Sequence, residues 1–368
     1  MTIQVWSYLK EYESERDEIL DAVQTVLSSG RLILGESVKN FEREFADYCG
    51  VRHGVGVDNG TNAITLALRA VGVEPGDEVI TVSNTAVPTV SAIVTAGCVP
   101  RFVDIDPATY LMDTEQIEAA ATDRTKCILP VHLYGQCVDM DRVRRVAAKR
   151  GLKVVEDCAQ SHGATFNGRK AGSMSDAAAF SFYPTKPLGG YGDGGMVLTD
   201  SAEVDAKLRR LRFYGMEQTY YSIEHGYNSR LDELHAEILR RKLNHLEDYI
   251  ARRRRLVIRY VELLADTSLV LPREAPGNRH AYYVFVVRHP RRNEIMARLK
   301  ERGIILNISY PWPVHVMSGY RGLGYKEGDF PNTEAAAKEI FSLPMYPTLS
   351  DPEQNCVCEA LREVTANA

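Results

Sequence analysis

Three short segments carry residue types that one kind of chemistry needs together. The first is SFYPTKPLGGYGDGGM, residues 181–196, in which Lys186 stands in a glycine-rich turn just after the apolar run AAAFSF (177–182). A lysine held past the end of a buried strand can lose its proton and attack a carbonyl. Gly189, Gly190, Gly192, Gly194 and Gly195 permit positive φ and close approach of backbone to a ligand. The second segment is VVEDCAQSHGA, residues 154–164. It places Asp157 at the carboxyl end of the run LKVVE (152–156), the side on which open α/β sheets bind ligands. A buried carboxylate there requires a cation, and a protonated ring nitrogen meets that need. The third is VDNGTNAITLAL, residues 57–68, where Gly60 and Thr61 open an apolar helix. Free N–H groups and the dipole at such a start favour a phosphate by about 1 kcal/mol. Each segment alone has a plainer reading: a solvated lysine, a helix N-capping aspartate, an ordinary capped turn. Together they offer a covalent anchor, a partner for a ring nitrogen and a phosphate cradle.

Such residues must be brought together by strand ends. The runs EVITV (78–82), VPRFVDI (99–105), KCILPV (126–131), LKVVE, AAAFSF and GMVLT (195–199) alternate with helical stretches at 62–71, 87–96, 113–121 and 139–149. That alternation predicts an α/β fold with a mostly parallel sheet covered on both faces. Ahead of it, residues 15–29 repeat Ile19, Leu20, Val23, Val26 and Leu27 at helical spacing, with Ser14 as N-cap and Gly30 as stop. Residues 36–49 form a second helical pattern, so the opening reads as a helical arm. A basic helical stretch covers roughly 231–264 and contains ARRRRL (251–256), read as a solvated or interdomain helix rather than a nucleic-acid patch. A smaller α/β unit follows, with strands near 281–287 and 304–309 and helices near 291–302, 333–341 and 351–364. The expected division is a helical arm plus large cofactor-binding domain over 1–245 and a small C-terminal α/β domain over 246–368.

Composition narrows the function class. The 368 residues are 25% charged and 45% hydrophobic with a net charge of −5, which gives no electrostatic case for nucleic acid or an anionic membrane. The seven cysteines include no CxxC pair and no zinc-type spacing, so no metal is expected and a reduced, cytoplasmic setting fits. No signal-type segment and no run of about 18 apolar residues occurs, which predicts no membrane span.

Read as a set, SSGRLILGESVKNFEREFADYCG, DNGTNA, PGDEVI, PVHLYGQCVDM, VVEDCAQSHGA, SFYPTKPLGGYGDGG, YNSRLDELHAEIL and YPWPVH resemble the DegT/DnrJ/EryC1/StrS sugar aminotransferases across almost the whole chain. The resemblance implies the aspartate-aminotransferase fold (fold type I), with a seven-stranded sheet flanked by helices, and pyridoxal 5′-phosphate (PLP) as cofactor. It implies that Lys186 anchors PLP as a Schiff base and, once free, shuttles the proton. Asp157 then pairs with the pyridine nitrogen, Ala159 packs a ring face, and Gln160 lies near the ring oxygen. Gly60, Thr61 and Ser181 hold the phosphate, and Asn228 reaches it from the neighbouring subunit of a homodimer. Tyr183, Arg230, Tyr310 and His315 are candidates for substrate contacts. Two departures stand out: Ala86 lies where relatives carry a stacking aromatic, and Pro187 follows the lysine where asparagine is common. The implied reaction moves an amino group from an amino acid, by analogy L-glutamate, to C3 or C4 of a nucleotide-linked (dTDP) keto-6-deoxyhexose. Antibiotic-sugar and surface-polysaccharide pathways both remain open. A sugar dehydratase of the same family is the alternative enzyme, opposed by Lys186, which such relatives replace with histidine. A non-catalytic regulatory member is the third reading.

Overall fold

Strands buried on both faces must be apolar along most of their length, and runs of four or five residues of that kind build the centre of the molecule. The computed structural model describes residues 2–366; Met1, Asn367 and Ala368, the ends of the two expected domains, lie outside them. The central sheet contains β1 (His53–Val57), β2 (Glu78–Val82), β3 (Val99–Val103), β4 (Thr125–Ile128), β5 (Lys153–Asp157), β6 (Ala177–Ser181) and β7 (Gly195–Thr199). Its order is β1-β7-β6-β5-β4-β2-β3. β7 runs antiparallel to both neighbours, and the remaining pairs are parallel. The α/β expectation holds. β1, which carries two glycines, has no counterpart among the predicted runs.

Two helices form the arm, α1 (Tyr8–Ser29) and α2 (Glu36–Cys49). α1 starts seven residues ahead of its predicted start. Ser14 is therefore inside the helix, and its hydroxyl donates back to the Glu11 carbonyl instead of capping an end. Gly30 ends the helix as expected, in the left-handed conformation. The buried stripe is Glu15, Ile19, Ala22 and Val26, which leaves Leu20 and Leu27 exposed.

α3 (Gly60–Ala70), α4 (Val87–Thr95), α5 (Met140–Arg150) and α6 (Ala202–Leu211) accompany the sheet. The helix expected at 113–121 shrinks to one turn, Ile117–Ala120, because Asp113 ties Glu115 and Gln116 into a local turn. The stretch expected as one helix over 231–264 breaks at Asn244–His245 into α7 (Glu233–Leu243) and α8 (Leu246–Leu264). Three of the four arginines of ARRRRL are engaged internally. Arg252 pairs with Asp351, Arg254 with Glu274, and buried Arg253 donates to three backbone carbonyls.

A second core gathers Leu256, Tyr260, Phe285, Phe341, Val357 and Leu361. It is built from α8, α9 (Arg292–Glu301), α11 (Asp351–Ala366) and the antiparallel pair β8 (Phe285–Arg288) and β9 (Ile340–Leu343), while α10 (Pro331–Glu339) buries Ala336 in the main core. The end of the predicted helix 333–341 is thus a strand. The N-terminal strand Ile3–Gln4 joins this core by parallel pairing with Ile304–Ile305. All seven cysteines are free. Among the described residues no helix is long and apolar enough to cross a membrane.

Candidate active site

β5 ends on two adjacent carboxylates. Successive strand residues face opposite sides, so Glu156 and Asp157 enter different surroundings. Both are fully buried. Asp157 accepts from the Thr89 hydroxyl at 2.8 Å and from the Ala159 N–H at 3.1 Å. The Thr85 and Thr89 hydroxyls lie 2.7 Å apart, so Thr89, already donating to Asp157, takes its own hydrogen bond from Thr85. Burial pushes the Asp157 pKa up, and the Thr89 and Ala159 donors and the nearby Lys186 do not offset it. No ion pair reaches Asp157 among the described residues. Gln160 accepts from the Tyr134 N–H at 2.8 Å and donates to the Tyr310 hydroxyl at 2.9 Å.

The neighbouring strand β6 ends at Ser181, and α3 begins against it. A Cβ on Gly60 would lie 2.6 Å from the Ser181 Cβ, so only glycine lets the helix start this close. Asn59 caps α3 through the Asn62 N–H. Among the described residues no acceptor meets the N–H groups of Gly60 or Thr61. Gly60, Thr61 and Ser181 are therefore together.

Lys186 follows in a turn closed by its own N–H on the Tyr183 carbonyl at 2.8 Å. None of the five glycines after it has positive φ. They serve close approach instead: a Cβ on Gly189 would lie 2.3 Å from the Pro184 carbonyl oxygen. The Lys186 ammonium has no carboxylate partner among the described residues, and Nζ lies 4.6 Å from the centre of the Tyr283 ring. Behind the turn, His162 is buried among Phe45, Phe180 and Phe182, and neither ring nitrogen has a well-formed hydrogen bond among the described residues. Burial, helped by the Lys186 charge, pushes its pKa down to about 3.

The substrate candidates divide. Tyr310 joins the Asp157 cluster through Gln160. Tyr183 is exposed at the lysine turn. His315 is neither a surface residue nor a free ligand. It is buried, Nδ1 lies 2.7 Å from the Ser83 hydroxyl, and Nε2 lies 3.2 Å from Glu334. Asn228 is exposed and bridges to Phe213, and the Arg230 guanidinium covers the Phe213 ring at 5.1 Å. Neither is joined to the Asp157 cluster by a hydrogen bond among the described residues. Ala86 caps α4 half-buried, while Val87 and Pro88 are exposed.

The residues fit PLP on three counts. A buried carboxylate lacks a cation, an amine beside it lacks an anion, and a glycine-dependent helix start leaves N–H groups open. Thr89, Tyr134, His162 and Tyr283 escaped the reading of the sequence. His162 and Tyr134 lie within quoted motifs and Thr89 within a segment already in question, whereas Tyr283 carries no local signal.

Known proteins resemble the chain along almost its whole length. A dTDP-3-amino-3,4,6-trideoxy-alpha-D-glucose transaminase of Micromonospora megalomicea subsp. nigra is 62% identical over 99% of each chain. A Geobacillus stearothermophilus protein named pleiotropic regulatory protein is 44% identical over 99% of this chain and 98% of its own. The crystal structure of S. venezuelae DesV in complex with a ketimine intermediate matches with a TM-score of 0.97 at 42% identity, covering 99% of this chain and 98% of that one. The model of the DegT/DnrJ/EryC1/StrS aminotransferase family matches residues 13–362. The chain belongs to that family, whose aminotransferases work with PLP.

Proposed function

We propose that this protein transfers an amino group from L-glutamate to C3 of a dTDP-linked keto-6-deoxyhexose. The observation that carries the reading is the buried, unpaired Asp157 beside the unpaired amine of Lys186. The Micromonospora relative, named for a 3-amino sugar, favours C3 over C4.

Lys186 Nζ would anchor PLP covalently, Asp157 would face its ring nitrogen, and Gly60, Thr61 and Ser181 would receive its phosphate. When bound, PLP supplies an electron sink for the carbon that loses its proton. Lys186 Nζ takes that proton and returns it at the carbon that gains one, in both half-reactions, which makes the kinetics ping-pong. Asp157 remains ionised once a cation faces it. Thr89 and the Ala159 N–H hold its two oxygens in place. Ala159 would pack a ring face, Gln160 and Tyr310 would wall the ring-oxygen side, and Tyr183 and Arg230 would meet the sugar nucleotide. His315, bonded at both nitrogens, would act by holding its loop.

The active form would be a homodimer in the cytoplasm, with the partner subunit's Asn228 completing the phosphate site. Exposed Leu20, Leu27, Leu32 and Ile33 on the arm support a covering second copy. The regulatory name of the Geobacillus relative keeps a second reading in play, and one assay separates the two. The protein is supplied with PLP, glutamate and either a 3-keto or a 4-keto dTDP-6-deoxyhexose, and the product is read by NMR. Nitrogen at C3 is expected. Amination at C4 alone sinks the C3 assignment, and no amination of any ketosugar sinks the enzyme reading.

A further inference from the structure

An amine that must leave a covalent bond, carry a proton and return needs somewhere to rest. Lys186 has no carboxylate of its own among the described residues, and Asp157 is required elsewhere. What Nζ does meet is the face of Tyr283, 4.6 Å from the ring centre. That ring is held at its backbone and at its hydroxyl. The Tyr283 N–H donates to the Tyr134 carbonyl at 2.9 Å. Its carbonyl accepts from Arg253 Nη1 at 3.1 Å. Its hydroxyl lies 2.9 Å from the hydroxyl of Thr185, the residue before the lysine. Arg253 is itself buried with no carboxylate in contact among the described residues, and the same Nη1 also reaches the Tyr282 and Met345 carbonyls. A buried guanidinium is thus committed to holding the backbone on which Tyr283 sits.

We infer that Tyr283 is a positioning residue whose ring face holds the Lys186 ammonium beside Asp157 whenever the amine is not covalently engaged. This rests on the proposed role of Lys186. The negative face of the ring attracts the ammonium and leaves the neutral amine alone. The attraction amounts to a factor of about ten in population, enough to guide the amine and weak enough to release it. A carboxylate facing Nζ would put a full opposite charge where the ring offers only its quadrupole, and would compete with Asp157 for the amine. The Thr185–Tyr283 hydroxyl contact keeps turn and ring in register.

The test keeps the shape of the ring and removes its charge. Phenylalanine and its mono-, di- and trifluoro analogues are placed at position 283 of the full chain. Two quantities are read. One is the rate at which acetic anhydride acylates Lys186 in the cofactor-free chain, followed by mass spectrometry. The other is the single-turnover rate with glutamate in the PLP-loaded enzyme, alongside KM for both substrates. Tyr283→Phe is expected to stay within about threefold of the parent, since the ring remains. Successive fluorines should raise acylation and lower the single-turnover rate stepwise, reaching about tenfold, with KM unchanged. A flat series in both readouts overturns the inference. So does a Phe variant as impaired as Tyr283→Leu, which would assign the effect to the hydroxyl. The fluorine series has constant shape, so it decides the matter even if the leucine variant does not fold. Full activity in Lys186→Ala would instead overturn the reading of the site itself, whatever the series shows.

Discussion

Glu156 and Asp157 are consecutive, equally buried and attached to the same strand, yet their surroundings are opposite. Glu156 accepts from His132 Nε2 at 2.8 Å, from the N–H groups of Gly172 and Met174, and from the Ser175 hydroxyl. Burial pushes its pKa up, but the His132, Gly172 and Ser175 donors prevail and the carboxyl ends below its ordinary value. Asp157 has two donors, and burial prevails. A carboxylate with all its bonds made belongs to the architecture, while one left short at a strand end is reserved for something that arrives. The histidines behind them repeat the contrast. His132 is engaged with Glu156 and receives the Val138 N–H, whereas neither ring nitrogen of His162 has a well-formed hydrogen bond among the described residues. His132, Glu156 and Cys158 also bring ligand atoms within 4.8 Å of one another, but the imidazole and carboxylate already satisfy each other.

The comparison breaks most sharply at Asp157. Asp157→Asn should lower transamination by about three orders of magnitude, the cost of leaving a buried cation unpaired. The same change should stabilise the cofactor-free chain at neutral pH. The folded parent holds the Asp157 proton above the ordinary carboxylate range, so it binds more protons than the unfolded chain there, and its stability falls as pH rises through that window. Asparagine has no such penalty. Urea titration of the cofactor-free chains at several pH values checks the sign, and equal or lower stability of the variant at neutral pH would refute it. Glu156→Gln should do the reverse. It should cost about 3 kcal/mol of stability by breaking a saturated buried pair, with activity per folded molecule retained. Denaturant midpoints and active-site titration measure both, and a loss of activity without a loss of stability would erase the distinction. The smallest effect belongs to His162→Phe. With its folded pKa at about 3 against 6.5, His162 favours the unfolded chain, which takes the proton as pH falls below 6.5. On going from pH 7 to pH 5 the parent should lose about 2 kcal/mol that the phenylalanine variant keeps. Parallel pH profiles for the two chains would contradict this.

What could be read in the sequence follows from the same physics. Lys186, Asp157 and Gly60 were legible because reactive residue types stand where buried strands end, and strands buried on both faces announce themselves as apolar runs. β1 was illegible because Gly54 and Gly56 lower its strand propensity while letting Glu42 and Leu231 pack closely. Strand β9 was absorbed into the helix before it, since Ala336 to Ile340 continues an apolar pattern across the boundary. Tyr283 sits in HAYYVFVV, where an aromatic is indistinguishable from core until the lysine is seen above it. Ser14 misled because a serine before an apolar helix fits a cap, but packing of α1 on α7 extends the helix past it.

The pairing of Ile3–Gln4 with Ile304–Ile305 ties the third residue of the chain to a strand about three hundred residues later. During synthesis the opening residues emerge first and must wait for the small core that will take them, because Ile3 is one of its buried members. Closing so long a loop costs about 3 kcal/mol more than closing one of ~10 residues, so the pairing weighs on stability as well as on timing. The chain is in effect fastened by its first stitch last, and the finished enzyme cannot be separated cleanly into an early half and a late half.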